Sequence, residues 1–230
     1  MFSINQKLLD SAQHRLKTRN NIYWIVGGSC SGKSTISQAI AEKSDVTRYD
    51  MDAGIYGTYA ERYTLESHPA NKAWLSASNP LAWQLDLSIE EFDAFNRAAN
   101  VEYLDLFTTD PAISQSQHAI LVDGGMIHPA LLMHVIPRDH IFCIDTSREN
   151  RVNLWETSTE RAQMKEWIYA LPNPQVKWEK FLQCDEWITQ TIVKECEANH
   201  IEFFRRDDQT SVADLAEKVA ASLGIKLVEK

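Results

Sequence analysis

Basic residues are scarce in this 230-residue chain: 23 Lys and Arg face 32 Asp and Glu, a formal net charge of −9. A protein whose main partner is nucleic acid needs a basic stripe to neutralise phosphates. None is visible, so nucleic acid is not expected as a partner, and any phosphate binding must be local. Long apolar runs are missing too. No stretch reaches the roughly 20 residues of a membrane span, and the first twenty residues carry Gln6, Asp10, Gln13 and His14 where an export signal needs an apolar core. The expectation is therefore no membrane partner and a cytoplasmic location. Four cysteines, Cys30, Cys143, Cys184 and Cys196, make no C-x-x-C pair and no metal-ligand spacing with histidine, which predicts reduced, mostly packed thiols. Repeats and low-complexity tracts are absent, and an apolar fraction of 44% excludes a disordered chain. The length suits one α/β domain spanning residues 1–230 with room for a helical insertion.

What is present is an alternation of strand and helix signals. Residues 2–18 place Ile4, Leu8, Ala12 and Leu16 at helical spacing, with Ser3 and Gln6 as a capping box. Residues 22–26 form a short apolar run rich in aromatic and β-branched side chains, as expected of a strand buried on both faces. A glycine-rich loop and a helix with Ile36, Ala39 and Ile40 on one side follow. Further strands are expected at 46–51, 119–123, 140–144 and 201–204, which gives a five-stranded parallel sheet with helices on both faces. The interval 53–117 is too long for a connection. It carries Tyr56, Trp74 and Trp83 and a helix from residue 89 with Ser88 and Glu91 as capping box, and predicts a helical insertion that forms a substrate pocket. Thr146 and Glu149 are placed to cap the helix after the fourth strand. Within 148–175, residues 158–174 have weak periodicity and two prolines, which predicts a mobile, lid-like segment. Gly224 is expected to stop the last helix.

Gly27-Gly28-Ser29-Cys30-Ser31-Gly32-Lys33-Ser34 fits G-x-x-x-x-G-K-[ST] without a mismatch. Glycines allow the backbone angles that turn successive N–H groups toward one anion, and the following helix presents its positive end. Gly28, Ser29, Cys30, Ser31, Gly32, Lys33, Ser34 and Thr35 are thus the expected phosphate cradle, with Lys33 on the β- and γ-phosphates of ATP and Ser34 on Mg²⁺. A solvated lysine is the commonplace alternative for such a match; the strand before it and the helix after it argue against that. Cys30 is read as a small side chain turned away from the nucleotide.

Asp50 and Asp52 end the second strand, where period-two alternation puts both carboxylates on one side. One would hold Mg²⁺ through water and the other would meet a substrate hydroxyl; the alternative is a turn with solvated acids. Asp123 ends an apolar strand ahead of Gly124 and Gly125, a Walker B arrangement, and is a candidate for the metal or for the base. Three acids for two tasks leave the base unassigned. Arg148, Arg151 and Arg161 lie where a closing segment would carry cations to the transferring phosphoryl group, and Arg151 and Arg161 are the preferred pair. The charged run from Arg205 to Thr210 (205–210) would reach an adenine edge, or else form a solvated loop. Histidines 68, 118, 128 and 134 show no ligand spacing and read as structural.

On the phosphate loop, the Asp50-x-Asp52 pair, Val122-Asp123-Gly124-Gly125 and the arginines after the fourth strand, the chain resembles the P-loop small-molecule kinases, the group of shikimate, gluconate and nucleoside monophosphate kinases. The resemblance implies a three-layer α/β P-loop NTPase fold with the loop-bearing strand near the centre of the sheet. It also implies ATP and Mg²⁺ as cofactors, γ-phosphoryl transfer to a small acceptor (nucleoside, nucleotide, sugar acid or hydroxy acid), and metal and acceptor roles for Asp50 and Asp52. The chain departs from the group in its long aromatic interval between Asp52 and Ala119, in Asp123 where a glycine is common, and in lacking a dense arginine cluster in the lid. Two other readings compete: a nucleotide-binding regulatory NTPase or switch without a small-molecule acceptor, and a binding module that kept nucleotide but lost catalysis. A GTP switch is disfavoured because Asn71-Lys72-Ala73-Trp74 has tryptophan where a guanine-reading aspartate belongs.

Overall fold

The computed structural model describes residues 2–207 and 209–228, so Asp208, within the charged run expected after the fifth strand, lies outside the described residues. Helix α1 (Gln6–Leu16) turns Leu9, Ala12 and Leu16 inward. Its start differs from the expected box: Asn5 is the N-cap and makes no side-chain cap bond. Strand β1 (Ile22–Val26), helix α2 (Lys33–Glu42) and strand β2 (Thr47–Asp50) follow. The chain then leaves the extended conformation immediately after Asp50. A single turn α3 (Met51–Ala53), capped by the Asp50 carboxylate accepting from Ala53 N–H, runs into a π-helical turn at Gly54–Thr58.

Within 53–117, past turns at residues 59–68, lie four helices: α4 (Pro69–Ser76), α5 (Pro80–Asp86), α6 (Ile89–Thr108) and α7 (Pro111–Ser114). Proline opens three of the four, where its missing N–H costs nothing and its fixed φ suits the first turn. Helix α6 has the Ser88–Glu91 capping box in full. Beyond it come strand β3 (Ile120–Asp123), the short helix α8 (Pro129–Leu132) and strand β4 (Ile141–Thr146). Helix α9 (Arg148–Thr157) is capped by the Ser147 hydroxyl, one residue past the Thr146 expected in that role. Residues 158–174 hold helix α10 (Ala162–Tyr169), and helix α11 (Pro174–Ala198), strand β5 (Glu202–Arg206) and helix α12 (Val212–Ser222) complete the chain. Gly224, at φ 67°, supplies the left-handed stop after α12.

The sheet is parallel in the order β2-β3-β1-β4-β5. Strand alternation sends Ile25, Leu121, Phe142 and Ile144 to one face, under Ile36 and Ile40 of α2 and Leu215 and Val219 of α12. Trp24, Val26, Ile120 and Val122 go to the other, under Leu9 of α1, Phe95 and Phe107 of α6 and Ile192 of α11. Each such side chain contributes about 1.5–3 kcal/mol when fully buried, so the two faces hold the three layers together. Because β1 lies centrally with its neighbours reached in opposite directions, a crevice opens beyond its carboxyl end. The phosphate loop begins there. No helix among the described residues is long and apolar enough to cross a membrane.

A satellite cluster of Leu85, Trp155, Ile168 and Trp178 ties α5, α9, α10 and α11 together. The stretch 158–174, expected to be mobile, holds helix α10; the apolar residues it packs against come from separate elements, so no periodicity within the stretch announces it.

Candidate functional site

The loop between β1 and α2 needs its glycines. Gly27 has φ 150° and a Cβ there would lie 2.0 Å from the Ile144 carbonyl oxygen of β4; Gly32 has φ 93°, the left-handed residue immediately before α2. Gly28 is closed in from another side, since a Cβ would lie 2.2 Å from Thr189 Oγ1 on α11. Cys30 adopts φ 60° and packs, half-buried, against the Trp155–Trp178 cluster. Burial pushes its thiol pKa up, against the pull of Arg161. Lys33 Nζ donates to the Gly28 carbonyl at 2.8 Å, folding the ammonium back over the loop. Its pKa is lowered by burial, opposed by the charges of Asp52 and Asp123.

Asp123 is buried at the end of β3, level with Ile25 of β1 and with Asp50 of β2. Its Oδ1 accepts from Ser34 Oγ at 2.8 Å; its Oδ2 accepts from Ser37 Oγ at 2.5 Å and from Arg48 Nε at 2.8 Å. The contact between the loop serine and the strand-end aspartate is an oxygen pair suited to a hard cation that keeps most of its waters and binds substrate phosphate. Among the described residues there is no cluster of three or more His, Cys, Asp or Glu side chains that could hold a metal by itself.

Asp50 and Asp52 part company. The premise that both sit on one side of an extended segment is corrected by the turn at Met51: Asp50 is spent capping α3, at 3.0 Å from Ala53 N–H, and pairing with Arg48 at 3.2 Å. Asp52 swings the other way, against the glycines after β3. A Cβ on Gly124 would lie 2.6 Å from Asp52 Oδ2, and Gly125 N–H donates to Asp52 Oδ1 at 3.0 Å. Gly124 and Gly125 have φ of 87° and 70°, and Trp24 Nε1–H fixes the turn by donating to the Gly124 carbonyl at 3.1 Å.

Asp52, Lys33 and Ser29 line one cavity of about 340 Å³, walled by α5, α6 and α11. Asp52 lines that cavity and is exposed, yet protein crowds around its carboxylate. Burial raises its pKa; Lys33 and the Gly125 N–H hold the rise back. Of the three insertion aromatics, Tyr56 lines the cavity, whereas Trp83 packs on Phe2 and Phe95 and Trp74 meets Tyr56 edge-on from behind.

The arginines separate as well. Arg161 lines the cavity, with its guanidinium 5.0 Å over the Trp155 ring. Arg148 is exposed, 3.6 Å from Glu186. Arg151 is only 3% exposed. It donates to the Thr146 carbonyl at 2.7 Å, pairs with Glu186, and lies 3.7 Å from Asp145 and 3.6 Å from Asp185. It does not line the cavity, so its expected place on a closing segment is corrected: it is a buried tie between α9, β4 and α11. Strand β5 runs two residues past the expected end at 204 and takes in the first two residues of the charged run: Arg205 pairs with Asp145 at 2.9 Å, and Arg206 stands over Gly32, 2.9 Å from where a Cβ would be.

Sequence reasoning missed Asp185 and Thr189. Both project from α11 onto the phosphate loop, Asp185 beside Ser29 and Thr189 against Gly28. Burial raises the Asp185 pKa, restrained by Ser29 and Arg151. Their four-residue spacing places them on one helix face, but nothing in it says which loop that face meets.

No protein-family model matches the chain, and no curated protein matches it. Among solved structures, a tunicamycin resistance protein from Deinococcus radiodurans aligns with 92% of this chain and 100% of its own, at 11% identity and a TM-score of 0.46. A gluconokinase from Sinorhizobium meliloti 1021 aligns with 89% of this chain and 91% of its own, at 16% identity and a TM-score of 0.44. At these scores neither likeness bears on the activity or substrate of this chain.

Proposed function

We propose that the chain is an ATP- and Mg²⁺-dependent phosphotransferase acting on the hydroxyl of a small molecule. The observation that carries this reading is that Asp52 and Lys33 share the wall of one cavity large enough for an acceptor. A loop that only bound nucleotide, as a regulatory switch would, does not need a cavity that runs on from its lysine, past a carboxylate, to α5 and α6.

The roles follow from position. Backbone N–H groups from Gly28 to Thr35 (28–35) and the Lys33 ammonium bind the β- and γ-phosphates. Ser34, and Asp123 through water, would hold Mg²⁺, which supplies charge neutralisation between those phosphates. Asp52 accepts the proton of the acceptor hydroxyl as that oxygen bonds to the γ-phosphorus and the bond to the β–γ bridging oxygen breaks, releasing ADP. A carboxylate with an elevated pKa suits this task, because a base works best near the operating pH. Arg161 balances charge on the moving phosphoryl group. Asp50, held as a helix cap and by Arg48, takes neither role assigned to it from sequence; Asp123, with its oxygens engaged by Ser34, Ser37 and Arg48, serves the metal and not the base.

The test is ADP release from Mg·ATP across a panel of hydroxyl compounds. Acceptor-dependent release is expected, and a rate that never rises above the acceptor-free rate defeats the reading.

A further inference from the structure

Arg206 closes β5 at the crevice end of the sheet, in register with Thr146 of β4. Period-two alternation sends it to the face opposite Arg205, which pairs with Asp145, and to the same face as Phe204, which packs on the cluster joining the sheet to α2 and α12. That face leads to the N-terminus of α2. There the Arg206 guanidinium meets Gly32, the left-handed residue that caps the helix: a Cβ on Gly32 would lie 2.9 Å from Nη1 and 3.8 Å from Cζ. Arg206 is half-buried and, among the described residues, makes no hydrogen bond or ion pair. The acid next to it in sequence is engaged within its own turn, since Asp207 accepts from Gln209 N–H at 3.0 Å and from Thr210 Oγ1 at 2.7 Å. Neither Arg206 nor Gly32 lines the acceptor cavity.

A cation at a helix N-terminus faces the positive end of the helix dipole and is disfavoured there. Asp52 and Asp123 act on the Lys33 ammonium of the same loop, whereas among the described residues no carboxylate pairs with Arg206. A bound anion resolves that arrangement. We infer that Arg206 binds the α-phosphate of the nucleotide, an inference that rests on the nucleotide reading of the loop given above. The γ-phosphoryl group has to reach the cavity, where Lys33, Asp52 and Arg161 lie. The remainder of the polyphosphate then crosses the loop outside that cavity, where Gly32 carries the guanidinium. Its planar fork offers paired N–H groups to two phosphate oxygens. The α-phosphate gains no charge during transfer, so Arg206 holds ATP equally before and at the transition state and acts on KM more than on kcat. Arg161, beside the moving group, acts on kcat.

The experiment measures Kd for Mg·ADP by titration calorimetry in the parent protein, Arg206→Ala, Arg206→Lys and Arg205→Ala, with Tm before titration as the check that each is folded. Arg206→Ala is expected to weaken binding at least about tenfold, the scale of a lost charged hydrogen bond. Arg206→Lys keeps the charge and is expected to bind more tightly than Arg206→Ala, and Arg205→Ala is expected to match the parent. An unchanged Kd in Arg206→Ala, or an equal loss in Arg205→Ala, overturns the assignment and leaves the loop as the nucleotide site. Arg206→Lys binding no better than Arg206→Ala puts the guanidinium on the base or ribose and overturns it too. A parent protein that does not bind Mg·ADP overturns the reading of the loop itself.

Discussion

Single residues decide which of the acids and cations do chemistry. Asp52 is the one aspartate of the three candidates that lines the cavity, so Asp52→Asn is expected to lower kcat by roughly 10²–10⁴-fold, the usual contribution of a positioned base. Since the folded protein raises the Asp52 pKa, activity of the parent protein should fall as pH drops through a value above the ordinary carboxylate range, because the protonated acid cannot accept the hydroxyl proton. The variant should lose that limb, and a limb that persists in Asp52→Asn assigns it to another group. On the alkaline side the lowered Lys33 pKa works in the other direction, since the ammonium is lost earlier than for a free lysine as pH rises. The two arginines preferred from sequence should part in the same assays. Arg161→Ala is expected to slow turnover with little change in stability. Arg151→Met takes the buried cation from beside Asp145, Asp185 and Glu186, of which Asp145 keeps Arg205 and Glu186 keeps Arg148, and is expected to cost about 3 kcal/mol of folding stability, read from denaturant midpoints.

At the scale of elements, the insertion is held by a buried carboxylate. Glu102 of α6 is 1% exposed and accepts from the N–H groups of Ala70 and Asn71 at 2.8 and 2.9 Å and from Asn71 Nδ2 at 2.7 Å, closing the first turn of α4. Glu102→Ala leaves those donors buried without partners, and a loss of about 2–3 kcal/mol is expected. Hydrogen exchange should show α4 opening ahead of the sheet, and uniform loss of protection across the molecule would contradict a local tether. Such pairings also mark where reading the sequence stops. The phosphate loop was legible because its glycines, lysine and serine are contiguous and flanked by strand and helix. The layers were legible because alternation and helical spacing are local patterns, and α6 displayed its own cap. The bend at Met51 was not, since the aspartates at 50 and 52 fit an extended strand equally well until Asp50 caps a turn; Gly54 was the available hint. Asp185 was illegible because its meeting with Ser29 is made by packing across about 150 residues of chain, and α10 because its partners Leu85, Trp155 and Trp178 lie in three other elements.

For the whole molecule, the contacts of α11 with the phosphate loop couple nucleotide binding to the fold. Thr189 and Asp185 reach Gly28 and Ser29 from a helix whose Ile192 lies in the core and whose Trp178 anchors the satellite cluster. A ligand bound only by the folded state stabilises it by mass action, about 2.7 kcal/mol at a hundred times its Kd. For a chain of this length about 1 kcal/mol moves Tm by roughly 2–4 °C, so saturating Mg·ADP should raise Tm by roughly 5–10 °C. Lys33→Ala should abolish most of that rise while leaving the Tm without nucleotide close to the parent value, because the desolvated ammonium, among the described residues, is hydrogen-bonded to the Gly28 carbonyl and not to a carboxylate. If the rise survives in Lys33→Ala, the nucleotide lies elsewhere than over this loop. A rise confined to the sheet and α2 in hydrogen exchange, with α11 unprotected, would instead show that the loop binds nucleotide without engaging the helix that walls the acceptor cavity, and would remove the structural link between the two substrates.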